Sequence, residues 1–207
     1  MDADDVCRPF ETDTGDTAEL DRVRAVESRA LAEVAADFPL PHSAGTVLPW
    51  GALEAATRDF VVRWLYRFPA SRQTENIARI RVPVGEYERL DGEDRVRYLL
   101  GMIERVLGAG LKPGIGRFEC LLKPLGIVPP DDDEIRRDLY ELAAIRNAIV
   151  HRANLVDSRL LSLCPWLPYK DGDALDVSRD QFRRYSSAAC LFAASTIEAA
   201  ERSRPRD

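Results

Sequence analysis

The chain of 207 residues is 45% hydrophobic and 31% charged, which suits one well-buried core and is short for two full domains. No apolar run approaches the roughly 18 to 20 residues needed to cross a bilayer, and the polar, acidic start does not resemble a secretory leader; a cytoplasmic protein with no membrane partner is expected. The net charge of −6 is concentrated between Met1 and Asp21, where eight acidic residues face only Arg8, so the near-neutral remainder does not exclude a nucleic-acid partner.

Residues 1–16 are expected as a flexible acidic tail and 17–207 as a single domain. Helical spacing begins with Leu20, Val23, Val26, Ala30, Leu31, Val34 and Phe38 and stops at Pro39. A second helix is predicted from near Gly45 to about Phe68, with an apolar stripe of Leu53, Thr57, Phe60, Val61, Trp64 and Phe68 that marks it as a core helix. From about 69 to 130 the pattern loosens into an inserted helical region. It contains a short helix within Thr74 to Ile80, and a longer one through Tyr98, Leu99, Met102, Ile103, Val106 and Leu107, capped by Asp91 or Glu93. A shorter amphipathic segment through Phe118, Leu121 and Leu122 completes it.

After Pro130, Asp131 to Glu134 offer caps and a favourable charge for a helix through Leu139, Leu142, Ile145 and Ile149, ending near Ala153 or Asn154. A polar connection follows, and Ser178 to Gln181 supply a capping-box pattern for a last helix to about Arg202. No set of alternating β-branched strands is present, so the expected class is all-α, a helical bundle.

The cysteines Cys7, Cys120, Cys164 and Cys190 are widely scattered and lie far from both histidines, His42 and His151. Reduced thiols are expected, with no structural zinc and no cofactor. His42, between Pro41 and Ser43, reads as structural or exposed.

The chemistry-bearing segment is Leu139 to Arg152. At about 100° per residue, Leu142, Ile145 and Ile149 cluster on one side. Tyr140, Ala144, Asn147 and His151 form a separate stripe with the 4, 3, 4 spacing of a helix-pairing seam. Asn147 and His151, at i and i+4, are neighbours, and Arg146 at the flank is long enough to reach the same space. A neutral His can take the proton of a ribose 2′-hydroxyl, Arg can hold the phosphate, and Asn can orient either, without a metal. With 26 arginines in the chain, the bare spacing is weak evidence. The residues alone leave open that His151 is a favourable cation near a helix C-terminus and Arg146 an ordinary surface base.

The segment resembles the Arg-Asn-x-x-x-His signature of the HEPN superfamily, the higher eukaryotes and prokaryotes nucleotide-binding domains. The likeness includes the apolar lead-in Leu142 to Ile145, the Asn147 directly after Arg146, the Ile149-Val150 filler and Arg152 after the His. Trp50-Gly51-Ala52-Leu53-Glu54-Ala55 also resembles the first core helix of the branch associated with RNA-processing and defence loci. The resemblance implies a HEPN-type bundle that pairs as a homodimer through the motif helix. It further implies a metal-independent endoribonuclease, as toxin, defence effector or RNA-processing factor, that leaves a cyclic phosphate. Arg146 and His151 would be the catalytic pair with Asn147 beside them, and an antitoxin or other regulatory protein is a further expected partner. Tyr140 and Ala144 fit the pairing seam.

Glu54 could face the motif or be a boundary carboxylate paired with a nearby Arg. Arg152 could contact phosphate or be a solvated helix-end base. Two rival readings stand beside the enzyme: a non-catalytic helical module that binds RNA, nucleotide or a partner protein, and a helical dimerisation domain.

Overall fold

The computed structural model describes residues 14–205, with side chains from residue 17. About 74% of the chain is helical, and among the described residues there are no strands, only one isolated antiparallel bridge between Leu155 and Ala174. The all-α expectation holds. The tail expected over 1–16 lies outside the described residues as far as residue 13, and helix α1, Thr14–Ala35, takes up the rest.

Helix α2, Pro39–Arg67, starts six residues before the expected Gly45. Prolines at 39 and 41 are compatible with this because the first-turn N–H groups have no intrahelical acceptor to lose. His42 therefore sits inside the helix, its ring stacked on Phe182 with centroids 5.8 Å apart. Leu53, Thr57, Val61, Val62, Trp64 and Leu65 are buried along α2, which confirms it as a core helix.

The region 69–130 is built from two one-turn helices, α3 (Glu75–Ala78) and α4 (Val84–Tyr87), then α5 (Gly92–Leu107) and α6 (Gly116–Leu122), with 3₁₀ turns before α3, between α5 and α6, and after α6. In α5 the buried line is Val96, Leu99, Leu100 and Ile103. Val106, expected on that face, is exposed. Asp91 occupies the cap position without a side-chain hydrogen bond.

Helix α7, Asp133–His151, begins where the acidic run predicts. The Asp132 carboxylate accepts from the N–H groups of Glu134 and Ile135, both at 3.0 Å. It stops because Ala153 and Asn154 adopt positive φ of 52° and 63°. The Asn154 side chain then donates to Leu175 O at 2.9 Å, fastening the turn to the far end of the following loop. A short helix α8, Ser158–Leu163, lies within what reads in the sequence as an unstructured connection. Helix α9, Arg179–Ser203, has the expected capping box at Ser178 and Gln181.

Helices α2, α7 and α9 pack against one another, and α5 packs on α2. Their buried side chains form one hydrophobic cluster that also takes in α6 and α8. The core face of α7 carries Leu139, Leu142 and Ile145, all fully buried. Among the described residues no helix is long and apolar enough to cross a membrane.

Candidate functional site

The last two turns of α7 bring Arg146, Asn147 and His151 together. Arg146 Nη1 donates to Asn147 Oδ1 at 3.1 Å and lies 3.5 Å from His151 Nε2. A guanidinium has no acceptor atom, so this contact is a hydrogen bond only in the tautomer that leaves Nε2 unprotonated. Arg146 Nε is buried with no hydrogen-bond partner among the described residues. This end of the side chain is thus anchored by packing, while Nη1 is shared between the amide and the imidazole. Asn147 and His151 are exposed and Arg146 is half-buried.

Beside this group a cavity of about 300 Å³ opens between α7 and α8. Its apolar wall is Ala144, Ala148, Leu160 and Leu163; its polar side is Asn147, His151, Arg152, Asp157 and Arg159. Asp157 caps α8 by accepting from Leu160 N–H at 2.8 Å, and its other oxygen takes Arg152 Nε at 3.0 Å. The Leu160 N–H first, and then the Arg152 guanidinium, hold the Asp157 carboxyl below the usual carboxylate range. Three positively charged or protonatable groups, His151, Arg152 and Arg159, thus line the cavity with a single carboxylate, which is engaged by Arg152.

The sequence-derived residues divide. Arg146, Asn147 and His151 converge as expected. Arg152 lies at the same cavity, but its guanidinium is committed to Asp157. Glu54 lies elsewhere: its Oε1 accepts from Trp50 Nε1 at 2.9 Å and pairs with Arg117 of α6 at 2.6 Å, in a small crevice with Arg58 and Glu104. It is the boundary carboxylate paired with a nearby Arg, not a motif-facing group.

Tyr140 is half-buried. It packs on the core cluster, and a Cβ on Gly114 would come within 3.0 Å of its Cα and ring, so the Gly114 segment covers it. Ala144 is buried as well. In the half of the seam nearer the start of α7, Tyr140 is thus partly covered by the chain's own inserted region, and Ala144 forms part of the cavity wall facing α8.

Sequence reasoning missed Asp157 and Arg159. The available signal was the cap-like Asp157-Ser158 followed by Leu160, Leu161 and Leu163, a one-and-a-half-turn amphipathic pattern too short to stand out within a polar stretch. It also missed a buried polar cluster one face away. Glu141, only 1% exposed, accepts from Trp166 Nε1, Tyr185 Oη and Arg184, and Arg184 Nε also pairs with Asp138 at 3.2 Å. Burial raises the Asp138 carboxyl and the Tyr185 hydroxyl, and pushes the nearby Cys164 thiol up to about 12.

No protein-family model, curated protein or solved structure matches the chain.

Proposed function

We propose that the protein is a metal-independent endoribonuclease of HEPN type, acting on RNA at the cavity beside Arg146, Asn147 and His151. The observation that carries this reading is the Arg146 guanidinium lying between Asn147 Oδ1 and His151 Nε2. A phosphodiester entering there would meet a proton acceptor and a positive charge within one hydrogen-bond length of each other, the pairing that transesterification of RNA requires.

In the reaction, the Arg146 guanidinium turns from His151 to the phosphate, and the freed Nε2 lone pair takes the proton of the ribose 2′-hydroxyl as the 2′-oxygen bonds to phosphorus. The bond from phosphorus to the 5′-oxygen breaks, and that oxygen takes a proton from water. The products are a 2′,3′-cyclic phosphate and a 5′-hydroxyl. Arg146 neutralises the charge that builds on the non-bridging oxygens, and Asn147 holds the guanidinium in register. The homodimer that the resemblance implies would meet at the exposed end of α7, around Asn147, Val150 and His151, since Tyr140 is half-buried and Ala144 buried.

The test is incubation of the protein with mixed RNA in chelator, beside His151→Ala and Arg146→Ala. Each substitution should lower the cleavage rate by roughly 10² to 10⁴. Cleavage that persists in either variant removes the mechanism. RNA or nucleotide binding without cleavage would favour the non-catalytic module instead.

A further inference from the structure

Two apolar surfaces of this chain lie open and match one another. The first is α1, whose Leu20, Val23, Val26, Leu31 and Val34 are all at least half exposed. They fall within about 140° of the helix circumference at 100° per residue, a stripe wide enough to bury against a neighbour. Nothing in the described chain buries it. A single exposed helix gains little from propensity alone, so a stripe of this length is stabilised only by a partner.

The second is a trough between α2 and α9, a cavity of about 410 Å³ with Gly45, Leu48, Ala52 and Ala56 on one bank and Phe182, Ala189 and Ala193 on the other. It continues past Ala56 to a smaller hollow at Phe60 and Ile197. Leu48 on its lip is 72% exposed. Gly45 to Phe60 spans about 22 Å of helix, and the α1 stripe from Leu20 to Val34 spans about 21 Å. The small side chains on both banks permit close approach of a third helix.

Polar groups also correspond. By angle, Glu27 falls inside the α1 stripe. The trough holds Ser186 Oγ, buried with no partner among the described residues, and beside it His42, stacked on Phe182, has its Nδ1 in the same condition. A carboxylate arriving on an apolar helix would accept from that hydroxyl, and the exposed Arg183 borders the same bank.

The chain's own α1 is held off this trough. Phe38 N–H bonds Glu33 O at 2.8 Å, Leu40 N–H bonds the Glu33 side chain at 3.3 Å, and Arg179 clasps Asp37. Asp37 and Phe38 both adopt the left-handed conformation, at φ 61° and 58°. A short link held in such a conformation is the kind of hinge across which proteins exchange an element.

We propose that α1 of one copy lies in the α2/α9 trough of a second copy and that the second returns the contact, giving a two-fold dimer by helix exchange. The trough is formed by α2 and α9 rather than by the α7 surface described above, so the proposal stands independently of the ribonuclease reading and of any pairing through α7.

Cys190 lines the trough and is an exposed, free thiol, which allows a direct test in the full-length chain. In a Cys7→Ser background, Val23→Cys, Val26→Cys and Leu31→Cys are made one at a time and oxidised mildly. At least one should give a reducible species of twice the chain mass, because a disulfide needs Cα atoms within about 7 Å. Adding Leu48→Glu, at a site exposed enough to leave the fold intact, should lower that yield at least tenfold. The same variant carrying Cys190→Ser should give no such species. Crosslinking within a single chain, no crosslink from any of the three positions, or a yield indifferent to Leu48→Glu would each overturn the proposal.

Discussion

Arg159 is a cation at the cavity with no carboxylate paired to it among the described residues, whereas Arg152 is clasped by Asp157. If the cavity takes RNA, Arg159 is the residue free to meet a flanking phosphate. Arg159→Ala should weaken RNA binding about tenfold, the loss of one charge-assisted hydrogen bond of about 1.5 kcal/mol. It should also flatten the slope of log affinity against log salt by roughly 0.7 to 0.9. Titration of labelled RNA at several salt concentrations reads both, and an unchanged slope would place Arg159 outside the phosphate path. Turnover at saturating RNA should hardly change, since the reacting atoms lie by His151. Arg146, Asn147 and His151 were legible in the sequence because a helix places i and i+4 together wherever it occurs. Arg159 and Glu54 were not, because their roles depend on which helix packs beside them.

Helix α7 carries a second cluster whose consequence is stability. Glu141 receives three donors in a nearly water-free position. Glu141→Ala would strand the Tyr185 hydroxyl and the Trp166 N–H and leave Arg184 with Asp138 as its carboxylate partner. Breaking a buried pair by removing one partner costs about 3 to 5 kcal/mol, and the lower figure applies because Arg184 keeps part of its solvent. A fall in Tm of roughly 6 to 12 °C is expected by far-UV circular dichroism; a fall under about 2 °C would mean that water replaces the carboxylate.

The start of α8 should respond to acid in the opposite sense to Asp138. Asp157 is held below its ordinary range, chiefly by the Leu160 N–H, so its contribution is present above the unfolded pKa of about 4 and lost as pH falls through its lower folded value. Asp138 is raised by burial, so its contribution is complete below about 4 and declines as pH rises through its raised value. Amide exchange in α8 should therefore quicken below about pH 4 in the wild type, once corrected for intrinsic rates. In Asp157→Ala, which removes the acceptor of the Leu160 N–H, it should already be fast, with little further dependence. Equal pH profiles would show that Asp157 does not hold the helix.

At the scale of the molecule, hydrophobic periodicity announced the helices but not which stripes find a partner. The apolar stripe of α1 is as regular as that of α2, yet only α2 is buried, because burial is decided by what the rest of the chain brings alongside. The same limit hid how deeply the inserted region packs. Its loose pattern, broken by glycine and proline, read as an elaboration, but Leu100 and Ile103 of α5 are 1% exposed and join the cluster formed by Val62 and Leu65 of α2 and Leu142 and Ile145 of α7. A segment sharing that core cannot melt separately without exposing the face of α2 on which it packs. Leu100→Ala should thus cost about 2 to 5 kcal/mol and lower one cooperative transition, with far-ultraviolet and tryptophan signals moving together. Trp50 and Trp64 on α2 and Trp166 after α8 sample both sides of the core, so they would detect a separation. If the variant instead splits the transition, with part of the helical signal lost before the tryptophan change, the region 69–130 is a separate folding unit and the single-core description fails.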